Sequence, residues 1–67
     1  MTVEAVILLA LNAGWQIRDL DDDPDPNILV VLDPPPGSRK RPVRLTGDLG
    51  DTLQPVTLRR LRQDLGV

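Results

Sequence analysis

The first apolar residues are crowded together: Val3, Val6, Ile7, Leu8, Leu9, Ala10 and Leu11, with only Glu4 and Asn12 marking a polar side. This run predicts a helix. Thr2 is suited to cap it, Glu4 lies in the first turn where the helix dipole favours an acid, and Gly14 offers a left-handed stop. A helix that is apolar nearly all round is normally buried nearly all round. One small sheet cannot cover it. Either the excess is tolerated in water, or a partner or a second copy of the chain covers residues such as Leu8 and Leu9. After Gly14 the period drops to two. Trp15 and Ile17 point one way and Gln16 and Arg18 the other, which predicts a short half-buried strand.

Ile28 to Leu32 is an unbroken β-branched and apolar run, the strongest strand signal in the chain. Three prolines and Gly37 then stiffen and turn the connection. Lys40 to Leu45 predicts a third strand, with Val43 and Leu45 inward and Arg44 outward. Pro42 has no amide to donate to a ladder, so this strand belongs at an edge or starts there. A polar loop with two glycines follows, and then Pro55 to Leu65 predicts a second helix with proline in its first turn. Leu58, Leu61 and Leu65 form its apolar stripe, while Arg59, Arg60 and Arg62 face away. Arg60 is placed to pair with Asp64, and Gly66 ends the helix.

The order is α-β-β-β-α, an α+β fold. Its economical packing is a three-stranded antiparallel sheet with two helices on one face. Trp15, Ile17, Ile28, Val30, Leu32, Val43 and Leu45 are expected to meet the helices. The opposite face is expected to display Gln16, Arg18, Leu29, Val31 and Arg44, a mixture of apolar and cationic side chains.

Sixty-seven residues make one small domain, 1–67. A chain of this size buries only about 60% of the surface its unfolded form exposes, so its stability is marginal. Cysteine and histidine are both absent. Disulfide staples, the usual zinc sites, histidine bases and thiolate nucleophiles are thereby excluded, and no cofactor or metal is expected. The apolar run near the start is too short for a bilayer, which takes about 20 residues. Glu4 stands where a signal peptide would carry Lys or Arg, and no small-residue cleavage site follows. A soluble, cytoplasmic protein without membrane contact is expected.

The formal net charge of −2 hides a division. Residues 1–33 carry seven acids against Arg18 alone, which is −6, and residues 34–67 carry seven basic residues against three acids, which is +4. Such asymmetry either serves a charged partner or is satisfied within the fold.

Three pieces of the chain carry a family likeness. They are V-E-A-V-I-L-L-A-L-N-A-G-W, then N-I-L-V-V-L before a proline turn and R-P-V-R-L, and finally T-L-R-R-L-R-Q-D-L-G-V. Together they resemble the HicA-type toxins, small ribonucleases with a double-stranded-RNA-binding-domain-like fold. The resemblance implies RNA as target and an antitoxin-like protein as partner. It also implies cleavage by a histidine in a G-S-H motif near the start of the second strand. Here that region reads D-P-D-P-N-I, and Asn27 or Ile28 stands near the histidine's place. Asparagine cannot shuttle a proton as histidine can. The chain is therefore expected not to cleave RNA by the family's route, and no catalytic residue is assigned.

Two charged clusters remain. D-L-D-D-D-P-D-P-N, residues 19–27, places Asp21, Asp23 and Asp25 at the first three ligand spacings of a calcium loop. Its sixth position, which must be Gly, is Pro26, and its twelfth, which must be Glu, is Leu32. Paired carboxylates for acid–base work need a rigid cleft, which a loop broken by prolines does not offer. The cluster reads as a solvated connection. The basic residues Arg39, Lys40, Arg41, Arg44, Arg59, Arg60 and Arg62, with Arg18, are the better candidates for contact with RNA or an acidic protein, since guanidinium forks match phosphate geometry. The sole aromatic, Trp15, reads as core and not as a stacking platform.

Two functions stay open at this point. One is a HicA-like RNA-binding or toxin–antitoxin-type component without nuclease activity. The other is a small adaptor, possible as a homodimer, that docks through Leu8 and Leu9 of the first helix and Leu29 and Val31 of the open sheet face.

Overall fold

The computed structural model describes residues 1–18 and 28–67. The aspartate cluster at 19–27, and every reading placed on it, lies outside the described residues. The elements run α1 (Val3–Asn12), β1 (Gln16–Ile17), β2 (Ile28–Asp33), β3 (Val43–Thr46) and α2 (Pro55–Leu65). The strands form an antiparallel sheet in the order β1-β2-β3, so β2 is central and β3 lies at an edge. The α-β-β-β-α order is thus present. Val30, Leu32, Val43 and Leu45 share one sheet face and join Val3, Val6, Ile7 and Ala10 of α1, Trp15, and Leu65 of α2 in a single core cluster. Both helices lie on that face.

The first turn of α1 is fully capped. Thr2 Oγ1 accepts from the Ala5 amide at 3.2 Å. The Val3 and Glu4 amides donate to the carbonyls of Asp51 at 2.9 Å and Leu49 at 3.0 Å. The polar loop after β3 is therefore a backbone cap for a helix some fifty residues upstream, and not a plain connection. Asp51 shapes that loop by accepting from the Asp48 amide through its own carboxylate at 3.0 Å.

The other end of α1 closes by a Schellman arrangement. Gly14 adopts φ +99°, its amide donates to Leu11, and the Trp15 amide donates to Ala10. This turn drives the indole of Trp15 into the core, where it is 3% exposed. A buried indole N–H needs an acceptor. It finds the carbonyl of Leu65 at 3.1 Å, in the last turn of α2, where helix carbonyls lack partners of their own. One bond thus satisfies two groups that burial would otherwise leave unpaired, and it ties the end of α1 to the end of α2.

Several sequence expectations need correction. Lys40, Arg41 and Pro42 precede β3 as irregular chain, because proline at 42 supplies no ladder donor. Ile17 is 54% exposed and not part of the core, since β1 is a two-residue strand with an open flank. A register shift between Ile28 and Val30 inserts an extra residue opposite β3. That bulge turns Leu29 toward the core, against which it packs, and leaves Ile28 outside the core cluster. Val31 does lie opposite the core, but it is only 1% exposed. Leu29 and Val31 therefore do not form an open apolar sheet face. On α1, Leu8 is 55% exposed while Leu9 is half-buried, so part of the apolar excess faces water.

Among the described residues no helix is long and apolar enough to cross a membrane. Replacing Trp15 by Phe should keep most of the packing but orphan the Leu65 carbonyl. The expected loss is about 1–3 kcal/mol, read as a lower urea midpoint by circular dichroism; an unchanged midpoint would mean that this bond does not matter.

Candidate functional site

The candidate site grows from the segment between the proline turn and β3. The Ser38 amide donates to the Pro35 carbonyl at 3.0 Å, and the Lys40 amide donates to Ser38 Oγ at 3.2 Å. These bonds bend the chain so that Arg39, Lys40 and Arg41 emerge from irregular, exposed backbone. Arg44 follows from β3, where the alternation places it outward between buried Val43 and Leu45.

Across from this segment runs one side of α2. A groove of about 580 Å³ opens between them, lined by Arg39, Lys40, Arg41, Pro42, Val43, Arg44, Thr57, Arg60, Leu61, Gln63 and Asp64. Among the described residues five cations face a single carboxylate, a formal charge of +4 for those side chains. Arg60 and Asp64 do not form the expected ion pair; among the described residues the ion pair found is Arg18 with Asp33. The Arg60 guanidinium is thus not committed to its own helix.

Helical periodicity decides which arginines contribute. Positions 57, 60, 61 and 64 line this groove, whereas Arg59 and Arg62 line a different one with Pro55, Leu58 and Val67. The expected arginine face of α2 is therefore two surfaces. Only Arg60 joins the cations around residues 39–44. Arg62 also donates through Nε to the Val67 carbonyl at 3.3 Å.

Two further candidates have structural duties. Arg18 grips Asp33 with two bonds, Nε to Oδ2 at 3.1 Å and Nη2 to Oδ1 at 2.6 Å, linking the end of β1 to the end of β2. Both side chains are substantially exposed, so this fork contributes no more than about 1 kcal/mol. Arg18 does not line the basic groove. Lys40 does, but it also lies over Gly66, where a Cβ would stand 2.8 Å from Lys40 Cε. A cation there favours the C-terminal end of α2, and Gly66 at φ +73° both ends the helix and leaves the space.

The lining offers guanidinium and ammonium donors, which suit phosphate or carboxylate oxygens. Among the described residues no three acidic side chains converge in a way that could hold a metal ion. The other interface candidates have separated: Leu8 is exposed on α1, whereas Leu9, Leu29 and Val31 are largely covered. Comparison with family models, curated proteins and solved structures finds no match to this chain.

The groove's cations are expected to be dispensable for folding. A triple change of Arg39, Arg41 and Arg60 to Gln spares Lys40 on Gly66 and Arg44 beside Val31 in the ladder. Each replacement should alter stability by no more than about 0.5 kcal/mol, measured by thermal melting. A loss of cooperative unfolding would instead assign these residues a structural role.

Proposed function

We propose that this chain is a HicA-like component without nuclease activity that holds the phosphate backbone of RNA in the basic groove. One observation carries the reading: Arg39, Lys40, Arg41 and Arg44 share a groove with Arg60 of α2, a residue far away in sequence. The element order agrees with the fold that the resemblance implies. The chain contains no histidine to perform the family's proton transfer.

The reading also fixes the character of binding. The only aromatic ring is buried and its N–H is engaged by Leu65, so no base can stack on it. Contacts then go to phosphates, and recognition is independent of base sequence. Affinity falls in the non-specific range, with a Kd of roughly 10⁻⁴ to 10⁻⁶ M at physiological salt. Four or five cations predict a slope of log affinity against log salt of about −3 on a single strand. The adaptor reading has less support, because its sheet-face half is lost with Leu29 and Val31.

Fluorescence anisotropy of a labelled RNA, titrated between low and physiological salt, tests this directly. Wild-type protein should show the slope given above, and the Arg39, Arg41 and Arg60 triple variant should flatten it by about 2. Asp64→Asn should raise affinity several-fold by removing a carboxylate from the groove. Absence of binding at low salt, or a slope indifferent to these variants, would overturn the proposal.

A further inference from the structure

The second surface of α2 differs in chemistry from the first. It carries a shallow, open groove of about 510 Å³, and among its lining residues Pro55, Leu58 and Val67 are apolar while Arg59 and Arg62 are cationic. Among the described residues no acidic side chain lines it. Leu58 and Val67 are half-buried and pack on the core cluster from below, so the apolar floor is fixed by the fold. Gly66 has no side chain of its own, and the stem of Lys40 lies over it. Val56, 82% exposed, sits one turn before Arg59 and extends the apolar character along the helix.

An apolar floor between two arginines selects its occupant. A nucleic-acid backbone would satisfy the guanidiniums but would set sugars and phosphates over a surface that rewards aliphatic burial. A neutral aliphatic segment would fill the floor and ignore both cations. An acidic segment carrying an aliphatic side chain satisfies both: carboxylates reach Arg59 and the Nη groups of Arg62, whose Nε already bonds the Val67 carbonyl, and the aliphatic group lies on Leu58, Pro55 and Val67.

We infer that this groove is a docking site for a short acidic, leucine-bearing segment of a partner protein, separate from the basic groove across the helix. Among the described residues the two linings have Gln63 in common, and Lys40 of the basic groove also lies over Gly66 of this one. Occupation of one therefore leaves the principal contacts of the other in place, and α2 can hold two different partners at once. This inference stands whether or not the basic groove binds RNA.

The probe is a fluorescein-labelled peptide alternating glutamate and leucine, with control peptides in which glutamine replaces glutamate or serine replaces leucine. Anisotropy should show micromolar binding of the parent peptide and a loss of about tenfold or more for each control. Arg59→Gln alone, a change at an exposed residue, should weaken the parent peptide several-fold, and Arg59→Gln with Arg62→Gln should do so further. Circular dichroism confirms that both variants fold. The Arg39, Arg41 and Arg60 triple variant should bind the peptide as wild type does.

Three results would overturn the inference. One is absence of peptide binding, and another is equal binding of the serine control. The third is an RNA affinity that falls as steeply with Arg59 and Arg62 changed as with the basic groove changed.

Discussion

The hydrogen bond from the Trp15 indole to the Leu65 carbonyl is the constraint on which the arrangement rests. It joins residues fifty positions apart and closes the loop between the two helices. Without it, α2 would be held on the sheet mainly by Leu65 and by the half-buried Leu58 and Leu61. The Schellman turn at Gly14 aims the indole, and the helix terminus supplies an acceptor that lacks an intrahelical partner. A small domain without disulfides has little stability to spare. A bond that pairs two buried polar groups is disproportionately useful there, because leaving either unpaired costs more than the bond itself contributes.

The orientation of α2 follows from this tie, and the candidate sites follow from the orientation. Once its last turn is fixed over Trp15, residues 57, 60, 61 and 64 face the chain entering β3. Arg59 and Arg62 fall on the other side. A rotation of one residue, about 100°, would put Arg59 or Leu61 in the place that Arg60 holds opposite Arg39, Lys40, Arg41 and Arg44. The basic groove is thus a consequence of core packing, although none of its arginines is part of the core. Lys40 links the two levels, lining the groove while its stem covers the glycine that ends the helix.

Much of the fold was legible because its signals are local. Proline at the start and glycine at the end bracket α2, and the alternation of Val43, Arg44 and Leu45 sets the faces of β3. What was hidden has no local signature. Nothing in Ile28-Leu29-Val30 announces a bulge, yet the bulge transfers Leu29 from the expected open face to the core. The loop at 47–54 caps α1 through main-chain carbonyls, which every residue possesses, so its side chains could not reveal the duty. The same limit applied to the cations: Arg59, Arg60 and Arg62 read as one face until their neighbours divided them.

Hydrogen exchange at the Trp15 indole nitrogen, followed by NMR, is the most direct test of this account. Protection matching that of the slowest core amides is predicted, because the bond to Leu65 should open only when the whole domain unfolds. Exchange near the rate of a free indole, in a protein whose core amides remain protected, would contradict the account. It would mean that α2 is not tied where the two grooves require it.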